Sequence, residues 1–176
     1  MTERPLPRIL VVDDDKAVRT ALRVNLGKHH TVSEVDCGEK ALELLSTQPM
    51  DLVLTDVAMP GMGGMALMKS IREDHPEVRV IVMTGYGSVA DAVSAMKAGA
   101  DDYLIKPIER DALLMIVEKE LEKKALLAEL VSLRQEVQEK FGFENLIGAT
   151  PAMVAVYEQI DAVADSNARV LVECPT

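Results

Sequence analysis

Ile9-Leu10-Val11-Val12-Asp13-Asp14-Asp15 opens with four consecutive apolar residues and closes on three acids. An apolar run without a polar break fits a strand covered on both faces, as in parallel sheets. The same short, continuous pattern returns in Leu52-Val53-Leu54, Val80-Ile81-Val82-Met83 and Tyr103-Leu104-Ile105. Thr31-Val32-Ser33-Glu34-Val35 is half polar and reads as an edge strand. Between these runs lie helical periods. Val89, Ala92, Val93 and Met96 recur at i, i+3, i+4 and i+7, which predicts an apolar stripe on the fourth helix. Val18, Ala21 and Leu22, then Ala41, Leu44 and Leu45, then Leu67, Met68 and Ile71 mark three earlier helices. Gly27 and Gly99 are read as the stops of the first and fourth. Five strands alternating with five helices predict an α/β fold, a doubly wound sheet of five parallel strands.

In such a sheet the reactive groups gather at the carboxyl ends of the strands, where strand order reverses. Here those ends carry Asp13-Asp14-Asp15, Thr55-Asp56, Thr84 and Lys106-Pro107. Each alone has a plain explanation, since acids before a helix are commonly caps and Lys-Pro is commonly a turn. Together they bring carboxylates, a hydroxyl and an ammonium to one edge. Crowded carboxylates repel unless a cation neutralises them. Oxygen ligands with few protein contacts suit Mg²⁺, which keeps waters and shares its shell with a phosphoryl group. One carboxylate is then placed to attack phosphorus and form an acyl phosphate. The Lys and the Thr hydroxyl are suited to bind the remaining phosphoryl oxygens.

Residues 8 to about 120 resemble the receiver domain of two-component response regulators. The resemblance rests on Ile9 to Asp15, on Asp51-Leu52-Val53-Leu54-Thr55-Asp56-Val57-Ala58-Met59-Pro60-Gly61-Met62-Gly63-Gly64, on Met83-Thr84-Gly85-Tyr86 and on Tyr103-Leu104-Ile105-Lys106-Pro107. It implies a flavodoxin-like strand order of 2-1-3-4-5. It also implies that Asp56 is the phosphoacceptor, with phosphoryl supplied by a sensor histidine kinase. Asp14 becomes the direct Mg²⁺ ligand, Asp13 helps through water or orientation, and the carbonyl of Ala58 is the third protein ligand. Thr84 and Lys106 grip the phosphoryl group, and Tyr103 matches the aromatic that swings inward as Thr84 is drawn toward it. The Lys106–Pro107 bond is expected to be cis. Without the resemblance, Tyr103 reads simply as a half-buried aromatic on a strand.

From Arg110 to about Lys140 there is neither Gly nor Pro. Leu114, Val117 and Leu121 form one stripe and Leu126, Leu130, Leu133 and Val137 another, out of phase by about one residue, as in an interrupted coiled-coil seam. A pairing helix is favoured over a solvated one because isolated helices gain most stability by burying a face. Beyond Phe141-Gly142-Phe143, the stretch Asn145-Leu146-Ile147-Gly148-Ala149-Thr150-Pro151-Ala152-Met153 and then Val170-Leu171-Val172 resembles the start of the AAA+ ATPase domain of nitrogen-regulatory-type activators of sigma-54 RNA polymerase. The expected division is a receiver at 1–120, a helical linker at 121–142 and a short AAA+ stub at 143–176. Glu173-Cys174-Pro175-Thr176 contains no Gly-Lys, so no ATPase activity is expected of this chain, only phosphorylation and autodephosphorylation at Asp56.

The bulk properties narrow the remaining classes. A formal net charge of −10 argues against nucleic-acid binding by this chain, which needs clustered Lys and Arg. Cys37 and Cys174 form no CxxC pair, and no apolar run is long enough for a bilayer, so a reduced, cytoplasmic protein is expected. His29, His30 and His75 lack metal-ligand spacing and read as surface or capping residues, and Asp101-Asp102 as loop acids. Two rivals stand beside the regulator: a receiver-like module that is never phosphorylated, and a Mg²⁺-dependent phosphohydrolase. The second needs an acid two residues after its nucleophile, where this chain has Ala58.

Overall fold

A computed structural model describes the backbone at residues 5–85 and 89–141, and side chains at 5–85 and 93–135. The elements alternate along the chain: β1 (Arg8–Val12), α1 (Lys16–Leu26), β2 (Thr31–Val35), α2 (Gly38–Thr47), β3 (Leu52–Asp56), α3 (Gly64–Asp74), β4 (Arg79–Thr84), α4 (Val89–Lys97), β5 (Asp102–Ile105) and α5 (Arg110–Phe141). All strand pairs are parallel, in the order β2-β1-β3-β4-β5. The half-polar β2 lies at the edge, where one side of its ladder needs no partner.

Alternation of side chains explains the unbroken apolar runs. Leu10 and Val12 of β1 enter a core with residues of α2, α3 and α4, while Ile9 and Val11 enter a second core with α1 and α5. Each face of the sheet is therefore dry, and every residue of β3 is buried. Fully burying an aliphatic side chain stabilises by about 1.5–3 kcal/mol, so the two cores together hold the sheet.

The helical stripes hold on α3 and largely on α2, and fail in part on α1 and α4. Leu67, Met68 and Ile71 are buried, as are Ala41 and Leu45. On α4 the described part of the predicted stripe faces outward: Val93 is 45% exposed and Met96 44%, whereas Ala95 is 2% exposed. A small residue seats this helix on the sheet, and apolar spacing does not distinguish a buried stripe from an exposed one. Ala21 of α1 is likewise exposed.

Asp101 lies in the bend before β5, as expected, but is not a free loop acid, and Asp102 begins β5 itself. The Asp101 carboxylate, at the amino edge of the sheet, pairs with Arg72 and with Arg79 Nη1 at 2.6 Å, and accepts from Val80 N–H at 2.7 Å. Arg72 also donates to the carbonyls of Gly99 (2.8 Å) and Val78 (2.7 Å), tying the end of α3 to the starts of β4 and β5. His30 is buried, with Nδ1 3.1 Å from the Leu26 carbonyl at the end of α1.

The chain separates into two compact units, Met1–Ala128 and Glu129–Thr176. Of the second, the described residues are the helical ones at 129–141. The expected AAA+ stub lies outside the described residues. Among those described, no helix is long and apolar enough to cross a membrane.

Candidate functional site

β1 and β3 are neighbours in register, with Val12 opposite Thr55, so the next residues, Asp13 and Asp56, emerge side by side. Asp56 is itself paired with Met83 on β4, and Thr84 with Ile105 on β5, which carries the chain directly into Lys106. The parallel ladder thus brings all the strand-end residues singled out by sequence to one edge.

The acidic turn after β1 divides its carboxylates by task. Asp15 caps α1, accepting from Ala17 N–H at 2.7 Å. Asp13 is fully buried, and its Oδ1 accepts from Asp15 N–H at 2.9 Å. Asp14 is exposed. Arg19 Nη1 donates to the carbonyls of Asp13 (2.6 Å) and Asp14 (3.1 Å), fixing the turn from below.

Carboxylate oxygens of Asp13, Asp14 and Asp56 all lie within 4.8 Å of one another. Lys106 Nζ bridges two of them, 2.8 Å from Asp13 Oδ2 and 2.7 Å from Asp56 Oδ2. Burial pushes the Lys106 ammonium toward losing its proton, but the hydrogen bonds and charges of Asp13 and Asp56 outweigh it and raise its pKa above the usual lysine value. One ammonium against three carboxylates leaves a deficit of positive charge. The donor set is all oxygen, partly open to solvent through Asp14, and fits a hard divalent cation such as Mg²⁺.

The loop after Asp56 closes tightly over its carboxylate. Ala58 is exposed and its N–H lies 3.4 Å from Asp56 Oδ1, while Gly64 N–H donates to the Val57 carbonyl at 3.2 Å. A Cβ on Gly64 would run into the carbonyl oxygen of Asp56, so the start of α3 approaches the end of β3 as only glycine permits. Thr84 is buried at the end of β4. Tyr103 is half-buried on β5, opposite Val82 and two residues before the partner of Thr84. The Lys106–Pro107 bond is cis, as expected. Arg19 was not foreseen, because a guanidinium bound to backbone carbonyls leaves no periodic or motif signal.

Residues 9–118 match the response regulator receiver domain family. The chain belongs to that family. The chain is 41% identical over 166 residues to the transcriptional regulatory protein ZraR of Escherichia coli K12, covering 93% of this chain and 36% of that protein. It is 35% identical over 171 residues to the DNA-binding transcriptional regulator NtrC of the same organism, covering 93% and 34%. The chain thus spans about a third of the length of these curated relatives. A CheY-like receiver domain protein from Methanospirillum hungatei superposes with a TM-score of 0.65 at 30% identity, covering 68% of this chain and 97% of that one. NtrX from Brucella abortus superposes with a TM-score of 0.72 at 31% identity, covering 94% and 36%.

Proposed function

We propose that this receiver is a phosphorylation switch in which Asp56 accepts a phosphoryl group from the phosphohistidine of a sensor kinase. The observation that carries the reading is the cluster of Asp13, Asp14 and Asp56 with Lys106 bridging two of them. An Asp56 carboxylate oxygen attacks phosphorus. An O–P bond forms as the P–N bond breaks, and the imidazole nitrogen of the kinase keeps the electron pair. Asp14, Asp13, Asp56 and the Ala58 carbonyl are the residues to hold Mg²⁺, which when bound supplies neutralising charge at the phosphoryl oxygens. Lys106 and the Thr84 hydroxyl take the remaining oxygens. Ala58 leaves no acid to activate water, which supports a switch over a phosphohydrolase.

Drawing Thr84 toward the phosphoryl group shifts the end of β4, and Tyr103 follows inward. The receiver and linker helix form a homodimer. Leu126, Leu130 and Leu133, spaced four and three residues apart on α5, are each about half exposed, as are Leu127 and Val131. Phosphorylation repacks this dimer and controls an attached sigma-54-type activator ATPase, in keeping with the transcriptional regulators the chain resembles. The test is intact mass after incubation with acetyl phosphate and Mg²⁺, beside Asp56→Asn. A single Mg²⁺-dependent phosphoryl adduct, absent from the variant, is expected. No adduct, under conditions that label a known receiver, sinks the proposal.

A further inference from the structure

The loop that carries Ala58 has one long-range side-chain tie among its described hydrogen bonds, and it comes from α2. Glu39, in the first turn of that helix, accepts from Met62 N–H through Oε1 at 3.0 Å, across 23 residues of sequence. The contact is built from both sides. Gly38, the preceding residue, is buried, and a Cβ there would meet the Met62 carbonyl oxygen at 2.7 Å and its Cγ at 2.8 Å. Met62 therefore rests on a helix start that lacks a side chain, and its N–H is held by the next residue along. Inside the loop, Met59 is 8% exposed and anchored in the core of α2 and α3. The segment from Ala58 to Met62 is thus pinned inward by Met59 and outward by Glu39.

The pinning matters because Ala58 contributes backbone, not side chain, to the acidic site. A carbonyl can be aimed only by holding the loop around it. The Glu39 carboxyl is kept below the ordinary carboxylate range first by its own N–H at the helix start and then by the Met62 N–H, so it is ionised while it accepts.

We infer that Glu39 is a positioning residue for the cation site: by seating Met62 against Gly38 it sets the loop that presents the Ala58 carbonyl. The inference rests on the proposed Mg²⁺ site and assigns it a support that no strand-end motif contains. Glu39 touches neither the cation nor the phosphoryl group. Its effect is on the affinity for Mg²⁺ and not on the chemistry of Asp56.

The experiment is a Mg²⁺ titration of the full chain, without phosphodonor, followed by the amide NMR shifts of residues beside Asp13, Asp56 and Ala58. Wild type, Glu39→Ala, Glu39→Gln and Gly38→Ala are compared, with Met62 amide exchange and thermal midpoint recorded for each. Glu39→Ala is expected to weaken Mg²⁺ binding about threefold, the order of effect of one partly solvated hydrogen bond. Its Met62 amide should exchange faster while the thermal midpoint stays near that of wild type. Glu39→Gln, whose amide oxygen still accepts, should bind within twofold of wild type, an estimate on the same basis. Gly38→Ala should weaken binding like Glu39→Ala, by pushing Met62 from the other side. Unchanged affinity in Glu39→Ala overturns the inference, and so does an equal loss in Glu39→Gln, which would make the effect one of charge. If wild type itself does not titrate, the cation site is wrong, and the inference falls with it.

Discussion

The two edges of the sheet handle buried carboxylates in opposite ways. At the carboxyl edge three carboxylates, from Asp13, Asp14 and Asp56, lie within 4.8 Å, and one ammonium, that of Lys106, bridges Asp13 and Asp56. At the amino edge the Asp101 carboxylate is shared by Arg72 and Arg79 and by one backbone N–H. The second edge has more positive charge than it needs, and Arg72 spends its remaining donors on two carbonyls. The first has too little. Fully partnered charge fixes three chain segments together, while a deficit of positive charge leaves a place for a cation and an anion that arrives with it. The same residue types serve architecture at one edge and, in the proposed function, chemistry at the other, and the count of partners separates them.

Asp56→Asn tests this division most severely. It should abolish the phosphoryl adduct, yet leave the thermal midpoint in metal-free buffer unchanged or raised, because one of three repelling carboxylates is gone and Lys106 keeps Asp13. A loss of stability beyond about 1 kcal/mol in urea unfolding would mean that the carboxyl edge also serves as structure.

Arg72→Met probes the other edge. Two carbonyls lose their donor and Asp101 keeps only Arg79 and the Val80 N–H, so urea unfolding should show a loss of about 2–3 kcal/mol. Phosphorylation of the remaining folded protein at Asp56 should change less than about threefold, since no group of the acidic cluster is touched. A large fall in phosphorylation with unchanged stability would reverse the assignment of the two edges.

The smallest effect is expected where α5 crosses the amino edge. Lys124 Nζ lies 2.8 Å from Asp51 Oδ1, and Asp51 also accepts from Arg8 N–H at 2.8 Å. Burial pushes the Asp51 carboxyl up, but Arg8 N–H and Lys124 outweigh it and hold it below the ordinary value of 3.8. A depressed carboxylate contributes stability above its unfolded value and loses it as pH falls through the folded one. Lys124→Ala should therefore lower stability at neutral pH by under about 1 kcal/mol, as partly exposed pairs do. That difference should vanish in acid titration below the ordinary value of 3.8. Lys106 behaves in the opposite sense: its raised value gives stability that is complete below the ordinary 10.5 and is lost only at higher pH.

The contrast between the edges also marks what could be read from sequence. The five strands and the strand-end residues were legible because each is written in contiguous letters: apolar runs for strands buried on both faces, acids or Lys where those runs stop. The edge position of β2 was legible for the same reason, from its polar residues. The α4 stripe misled, because Val93 and Met96 have the spacing of a core face and the exposure of a surface.

By itself, then, the sequence determined the α/β alternation, the parallel sheet and the set of groups gathered at its carboxyl edge. Those follow from local pattern and from the rule that parallel strands end on one side. Only the tertiary structure decided who partners whom. Lys106 reaches Asp13 across 93 residues and Asp56 across 50, Arg72 reaches Asp101 across 29, and Glu39 reaches Met62 across 23. A hydrogen bond between distant segments has no period and no motif. It exists because packing places a donor near an acceptor, and charge balance at each edge follows from that placement.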